Sequence, residues 1–147
     1  METMTQEYKE LLLKDLSARL PYGVCVEHTS GFRGTLHDIT VYFTYDDDDT
    51  IKDYMCYTDF FGDESCKIEF FKPYLYPLSS MTEEQKEEYH YIVNYISPDD
   101  TENWAEGEFV YMNQIEQLLH FYHTNHLDYR GLIAKDLALD ATNENIY

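Results

Sequence analysis

Tyr8, Leu11, Leu12, Leu16 and Leu20 recur at the spacing of one helix face, with Lys9, Glu10, Lys14 and Asp15 opposite. That pattern predicts a helix over about residues 5–20, capped by Thr3 or Thr5 and ended by Pro21 and Gly23. The period then changes. GVCVEHTS, TLHDITVYFTY, TIKDYMCYT and SCKIEFF are rich in Val, Ile, Thr, Tyr and Phe, and turn signals separate them at Ser30-Gly31 and Gly34, at Asp46–Asp49 and at Phe61-Gly62-Asp63. Short strands so spaced read as an antiparallel meander that can curl into a small barrel. TLHDITVYF fits one long bent strand or two.

KPYLYPLSSM holds Pro73 and Pro77, which forbid regular pairing, so an extended crossing segment is expected there, with Tyr74, Leu75, Tyr76 and Leu78 on the core. Thr82 and Gln85 then have the spacing of a capping box, and Glu83 and Glu84 favour the positive end of a helix dipole. The helix they open runs to about residue 96 with Tyr89, Ile92, Val93 and Ile96 inward, and Pro98 ends it. An acidic loop follows over 97–108, then an extended piece over 109–112. Asn113 caps a third helix whose buried face is Ile115, Leu118, Leu119 and Tyr122. After a turn at Gly131 a short amphipathic helix is expected, and then a frayed tail, TNENIY. The expected fold is therefore α+β and one domain over residues 1–147. An N-terminal helix, a four- to five-stranded antiparallel sheet (open to closure as an SH3-like small barrel) and two to three C-terminal helices make it up.

Charge changes the picture most. The 147 residues carry 29 Asp plus Glu against 10 Lys plus Arg, a net charge of −19. An apolar fraction of 44% and an aromatic fraction of 16% argue for a folded chain all the same, because disordered acidic chains are poor in aromatics. Such a surface carries about one uncompensated negative charge per 400 Å² and repels phosphate. Direct nucleic-acid binding needs a basic stripe, and none is visible; anionic lipid is disfavoured for the same reason. No apolar run reaches the length of a membrane span, and no basic-then-apolar leader stands at the start, so the chain is expected in the cytoplasm.

The charge is also patterned. Residues 46–64 hold Asp46, Asp47, Asp48, Asp49, Asp53, Asp59, Asp63 and Glu64 against Lys52, a net −7. Residues 83–108 hold Glu83, Glu84, Glu87, Glu88, Asp99, Asp100, Glu102, Glu106 and Glu108 against Lys86, a net −8. If the two segments share a face, their carboxylates stand in for backbone phosphates, with Tyr45, Tyr57 or Trp104 as apolar anchors. A basic, nucleic-acid-binding protein is then the expected partner, met rapidly and in a salt-sensitive way.

Chemistry-bearing motifs are sparse. Asp46–Asp49 lacks the glycine and distal glutamate of a calcium loop. His120, His123 and His126 have the best metal-like spacing, yet only two of them share a helix face, and there is no HExxH. A metal-dependent enzyme using His120, His123 and a carboxylate is the alternative reading; a structural protein whose acidity serves dispersal is another. Cys25, Cys56 and Cys66 are an odd set without a CxxC and fit reduced core thiols. Serine elbows and phosphate-cradling glycine loops are absent. No catalytic residue, cofactor or dedicated metal site is expected.

Three strings, LSARLPYGV, KPYLYPLSSMTEEQKEEY and HLDYRGLIAKDLALDA from His126, resemble an uncharacterised family of small acidic proteins carried by phages and mobile elements of gut anaerobic bacteria. They cover about a third of the chain and leave Glu27 to Glu69 unmatched. The family carries no assigned catalytic residues to transfer. The resemblance implies a phage or mobile-element accessory protein or inhibitor acting inside a bacterial cell, with defence nucleases as the obvious partner class.

Overall fold

The computed structural model describes residues 4–46, 49–94 and 104–147, with side chains for all of these except 44–51 and 104–113. The class is α+β, as expected, with one long N-terminal helix, a sheet and two further helices. The sheet has six strands rather than four or five. It is mixed and does not close into a barrel.

Helix α1 spans Gln6–Arg19, and the Thr5 side chain accepts the Tyr8 N–H at 3.2 Å. Leu12 and Leu16 are fully buried, as the periodicity predicts. Pro21 converts the end into a 3₁₀ turn over Leu20–Tyr22, and Gly23 at φ 75° releases the chain toward the sheet. Strands β1 (Cys25–His28), β2 (Arg33–Asp46), β3 (Asp49–Thr58) and β4 (Ser65–Lys67) follow as an antiparallel meander. TLHDITVYF is one strand, bent by a bulge between Leu36 and Asp38.

KPYLY departs from expectation. β5 (Phe71–Leu75) pairs antiparallel with β1, Pro73 opposite Val26, so the proline lies inside a strand. The neighbouring bonds explain why this is tolerated. Leu75 O accepts from Ala141 N on the β6 side and Phe70 O accepts from Thr29 N on the β1 side. By alternation Pro73 N faces the β6 side, and β6 (Leu139–Asp140) begins pairing only at Tyr74. The missing N–H therefore interrupts no ladder bond. Because β5 and β6 run parallel, the strand order is β4-β3-β2-β1-β5-β6.

Helix α2 (Glu83–Asn94) starts with the expected capping box, Gln85 N–H to Thr82 Oγ1 at 3.1 Å and Thr82 N–H to Gln85 Oε1 at 2.9 Å. Helix α3 spans Trp104–Thr124 without a break, which corrects both the extended piece over 109–112 and the cap at Asn113. Its inward stripe is also turned from the expected one. Phe121 is buried and Leu118 and Tyr122 are half-buried, while Ile115 and Leu119 are exposed. Ile92 of α2 and Leu127 complete this satellite core, and Val93 is left outside it. The expected residue 96 of the α2 stripe lies outside the described residues.

The short helix expected after Gly131 is a run of turns. The buried Asp128 carboxylate organises it by accepting the Leu132 and Ile133 N–H groups at 2.8 and 2.9 Å, and the run ends with Asp136 in the left-handed region. The tail is anchored rather than frayed. Tyr147 stacks on His126, and its hydroxyl accepts from Cys25 N–H at 3.0 Å and donates to Tyr74 O at 2.9 Å. It thus bridges β1 and β5 where their direct pairing ends. Tyr147→Phe leaves both backbone groups without that partner. It is expected to lower stability by about 1–3 kcal/mol, read as a fall in the urea midpoint at unchanged slope.

Candidate protein interface

The main core lies between α1 and the sheet and includes Tyr54, Cys56 and the partly buried Ile39 on one face of the β2–β3 ribbon. Among the described residues Tyr54 is its last buried residue toward the hairpin tip. Register pairs continue past it, from Tyr42 opposite Asp53 to Asp46 opposite Asp49. β4 covers only Met55 to Tyr57 of β3, and β1 covers only Arg33 to Thr35 of β2. Val41, Tyr42 and Phe43 are consecutive, so they point to alternate faces, yet they are 43%, 50% and 51% exposed. A two-stranded arm therefore extends beyond the body, with both faces exposed at Val41, Tyr42 and Phe43 and, among the described residues, no strand paired to either edge there. Its free part, from residue 42 to 46, reaches about 14 Å. Two ribbon strands are marginal alone. Here Lys52 lies over the Phe43 ring at 5.9 Å and the hydroxyls of Tyr42 and Tyr57 meet at 3.2 Å, which adds cross-strand contact.

Asp46 and Asp49 end the paired strands at the tip. Asp47 and Asp48 lie between them in sequence, outside the described residues. Asp53 sits on the arm, with Lys67 Nζ 4.0 Å from its carboxylate. The other acids of this segment lie elsewhere. Asp59, Asp63 and Glu64 occupy the turns after β3, at the opposite end of that strand and about 30 Å from the tip. Asp59 is partly committed to the fold. Its Oδ1 accepts the Thr35 N–H at 3.1 Å, and its side chain fills the place a Cβ would take at Gly34.

The second acidic segment lies on other elements. Glu83, Glu84 and Glu87 are exposed on the first two turns of α2, with Glu83 3.3 Å from Lys86. α2 follows β5 in the chain and packs on α3, whereas β3 and β4 stand at the far end of the strand order from β5. Asp99, Asp100 and Glu102 lie outside the described residues, and Trp104 opens α3. The described acids of the two segments thus fall on separate elements: the β2–β3 arm, the basal turns, α2 and, for Glu106 and Glu108, α3.

The basal turns carry apolar residues that a turn-signal reading passes over. Phe60 and Phe61 pack at 4.7 Å between ring centres, Phe32 stacks on Phe60 at 5.9 Å, and His28 meets Phe61 edge-on at 4.9 Å. Phe32 is 56% exposed. An open groove of about 400 Å³ adjoins them, walled by His28, Met55, Cys66 and Phe70.

The histidines form part of a different cluster. His120 Nδ1 bonds the Tyr22 hydroxyl at 2.9 Å, and His123 Nε2 bonds the Tyr129 hydroxyl at 2.8 Å. α3 ends in a Schellman motif, with Leu127 N–H to Tyr122 O and His126 N–H to His123 O. His126 takes the left-handed position at φ 55° that glycine usually fills. Among the described residues no three His, Cys, Asp or Glu side chains are placed to hold a metal ion. Burial first, then Arg19 (with Arg130 and His120 for His123), pushes the imidazoles of His123 and His126 down from 6.5 to about 4.

That shift predicts acid sensitivity. The unfolded chain takes up these protons near pH 6.5, whereas the fold resists them until about pH 4, so the stability they support is complete above 6.5 and lost as pH falls through that window. The urea midpoint is expected to drop between those values, and His123→Gln is expected to flatten the drop.

Behind the histidines lies a buried ion cluster that the sequence pattern assigns to solvent. Asp15 and Arg19 are both 0% exposed, with Arg19 Nε donating to Asp15 Oδ2 at 2.8 Å and Arg19 Nη2 to Leu127 O at 2.7 Å. Arg130 Nε stands 3.2 Å from Asp15 Oδ1, close enough for Coulomb attraction but out of hydrogen-bond alignment. Burial raises the Asp15 pKa and the two arginines oppose it. Three strings distant in sequence converge here: LSARLPYGV, KPYLYP and the stretch from His126. LSARLPYGV supplies Arg19 and Tyr22, the third string supplies His126, Leu127, Tyr129 and Arg130, and Tyr76 of KPYLYP bridges Leu127.

Among the described residues no helix is long and apolar enough to cross a membrane. Comparisons with protein-family models, with curated proteins and with solved structures find no match.

Proposed function

We propose that the chain is a non-enzymatic acidic interaction protein. Its β2–β3 arm enters a basic groove of a nucleic-acid-binding protein and sets carboxylates where phosphates would lie. One observation carries the reading: past Tyr54 the β2–β3 pair leaves the core with Val41, Tyr42 and Phe43 exposed on alternate faces, and its paired strands end at Asp46 and Asp49, within a sequence run of four aspartates. A two-stranded ribbon is narrow enough to enter a groove of nucleic-acid width, and Val41, Tyr42 and Phe43 supply apolar contact behind the charge. A net charge of −19 favours a cationic protein and disfavours DNA, RNA and anionic lipid as direct partners.

The resemblance of the three strings sets the context: a phage or mobile-element accessory protein or inhibitor in the bacterial cytoplasm, with a defence nuclease as the partner class. The test is a capture from host lysate at low and high salt, using the intact chain and a chain with Asp46–Asp49 changed to Asn. Retention of nucleic-acid-binding proteins by the intact chain only, with release by added DNA or by salt, supports the reading. Equal retention by both chains removes the arm from it.

A further inference from the structure

We propose that Cys56 and Cys66 form a reversible cross-strand disulfide that fastens β4 to β3 at the base of the arm. The two residues are register partners in the antiparallel β3–β4 pair. Directly opposed residues have Cα atoms about 4.5–5.5 Å apart and side chains on one face. A disulfide needs a Cα separation of about 4.4–6.8 Å, so the bridge requires only side-chain rotation. Cys25 is on β1, with β2 standing between it and β3, and is not a competitor within the fold. Burial raises the Cys56 thiol to about 12, with the nearness of Cys66 the next cause.

Access is asymmetric. Cys56 is fully buried, whereas Cys66 is half-buried and lines the groove beside His28, Met55 and Phe70. A small disulfide such as oxidised glutathione therefore meets Cys66 first. The Cys66 thiolate attacks one glutathione sulfur, the glutathione S–S bond breaks, and one glutathione thiolate leaves. The Cys56 thiolate then attacks the Cys66 sulfur and expels the second glutathione. Two protein thiols are oxidised, one external disulfide is reduced to two thiols, and the two protons go to solvent or to the departing thiolates. The second step draws on a small thiolate fraction, so closure is slow and speeds up as pH rises.

β4 is three residues long and forms the sheet edge, so the staple bears on a weakly held element. Closing it ties down the turns that carry Asp59, Asp63, Glu64 and the Phe60–Phe61 pair.

The experiment incubates the intact chain with oxidised glutathione over a range of pH, quenches by alkylation, counts free thiols and maps the linked peptides. The expected result is a monomer whose three free thiols fall to one, with 56 joined to 66, restored by a reductant. The Cys25→Ser chain is expected to lose both of its thiols, and the Cys66→Ser chain to form no internal bridge. A product that stops at a glutathione adduct on Cys66, a bridge that involves Cys25 or a second chain, or no loss of thiols overturns the proposal.

Discussion

Arg19→Ala is expected to destabilise the fold by about 3–5 kcal/mol, the largest effect of any single substitution considered. The reason is asymmetry. The guanidinium is fully buried, and removing it strands the equally buried Asp15 carboxylate beside a single misaligned partner, Arg130, while Leu127 O loses its donor. At about 2–4 °C per kcal/mol for a chain near this size, thermal unfolding measures the loss directly. A volume-matched apolar pair, Asp15→Leu with Arg19→Met, is expected to recover much of it, because neither charge is then left alone. If Arg19→Ala costs less than about 1 kcal/mol, the level of an exposed pair, the cluster is not the buried ion site described above. Asp15 has a pH signature of its own. Its raised folded pKa means that its contribution is fully present in acid and declines as pH rises, opposite in sign to His123 and His126.

Changing Asp46–Asp49 to Asn is expected to slow association with the captured basic partner by about 10–10³-fold at low salt, with a smaller effect on dissociation. The arm carries little of the core, so stability is expected to stay within about 0.5 kcal/mol of the parent. Stopped-flow association over a series of salt concentrations reads both the rate and its slope. An unchanged rate with an unchanged salt slope places recognition elsewhere, and then the α2 acids Glu83, Glu84 and Glu87 become the next set to neutralise.

Local signals were legible wherever neighbours in sequence are neighbours in space. The Thr5 cap, the Thr82–Gln85 box, the Leu12 and Leu16 face and the meander all follow from residues within one turn or one hairpin. What escaped is what distant segments decide. Asp15 sits on the polar side of the α1 pattern, and only Arg19, Arg130 and Leu127 together make its burial tolerable. Pro73 contradicts a strand until the late start of β6 is known. His126 and Asp136 take left-handed turns without glycine, which leaves no residue-type signal for the end of α3 or for the turns after Gly131. The acidic segments were visible as charge, but their separation along β3 and across the sheet depends on strand order. The free arm was hidden for a related reason. On β2 the apolar alternation continues past the core through Val41, Phe43 and Tyr45, and that strand's sequence does not reveal where the covering helix stops.

The Tyr147 hydroxyl joins a peptide N–H 122 positions earlier to a carbonyl 73 positions earlier. During synthesis that seam stays open until the last of these residues has left the ribosome, so the sheet is completed late and over a long loop. Removal of Tyr147 by proteolysis would therefore unfasten the middle of a sheet rather than loosen a local turn.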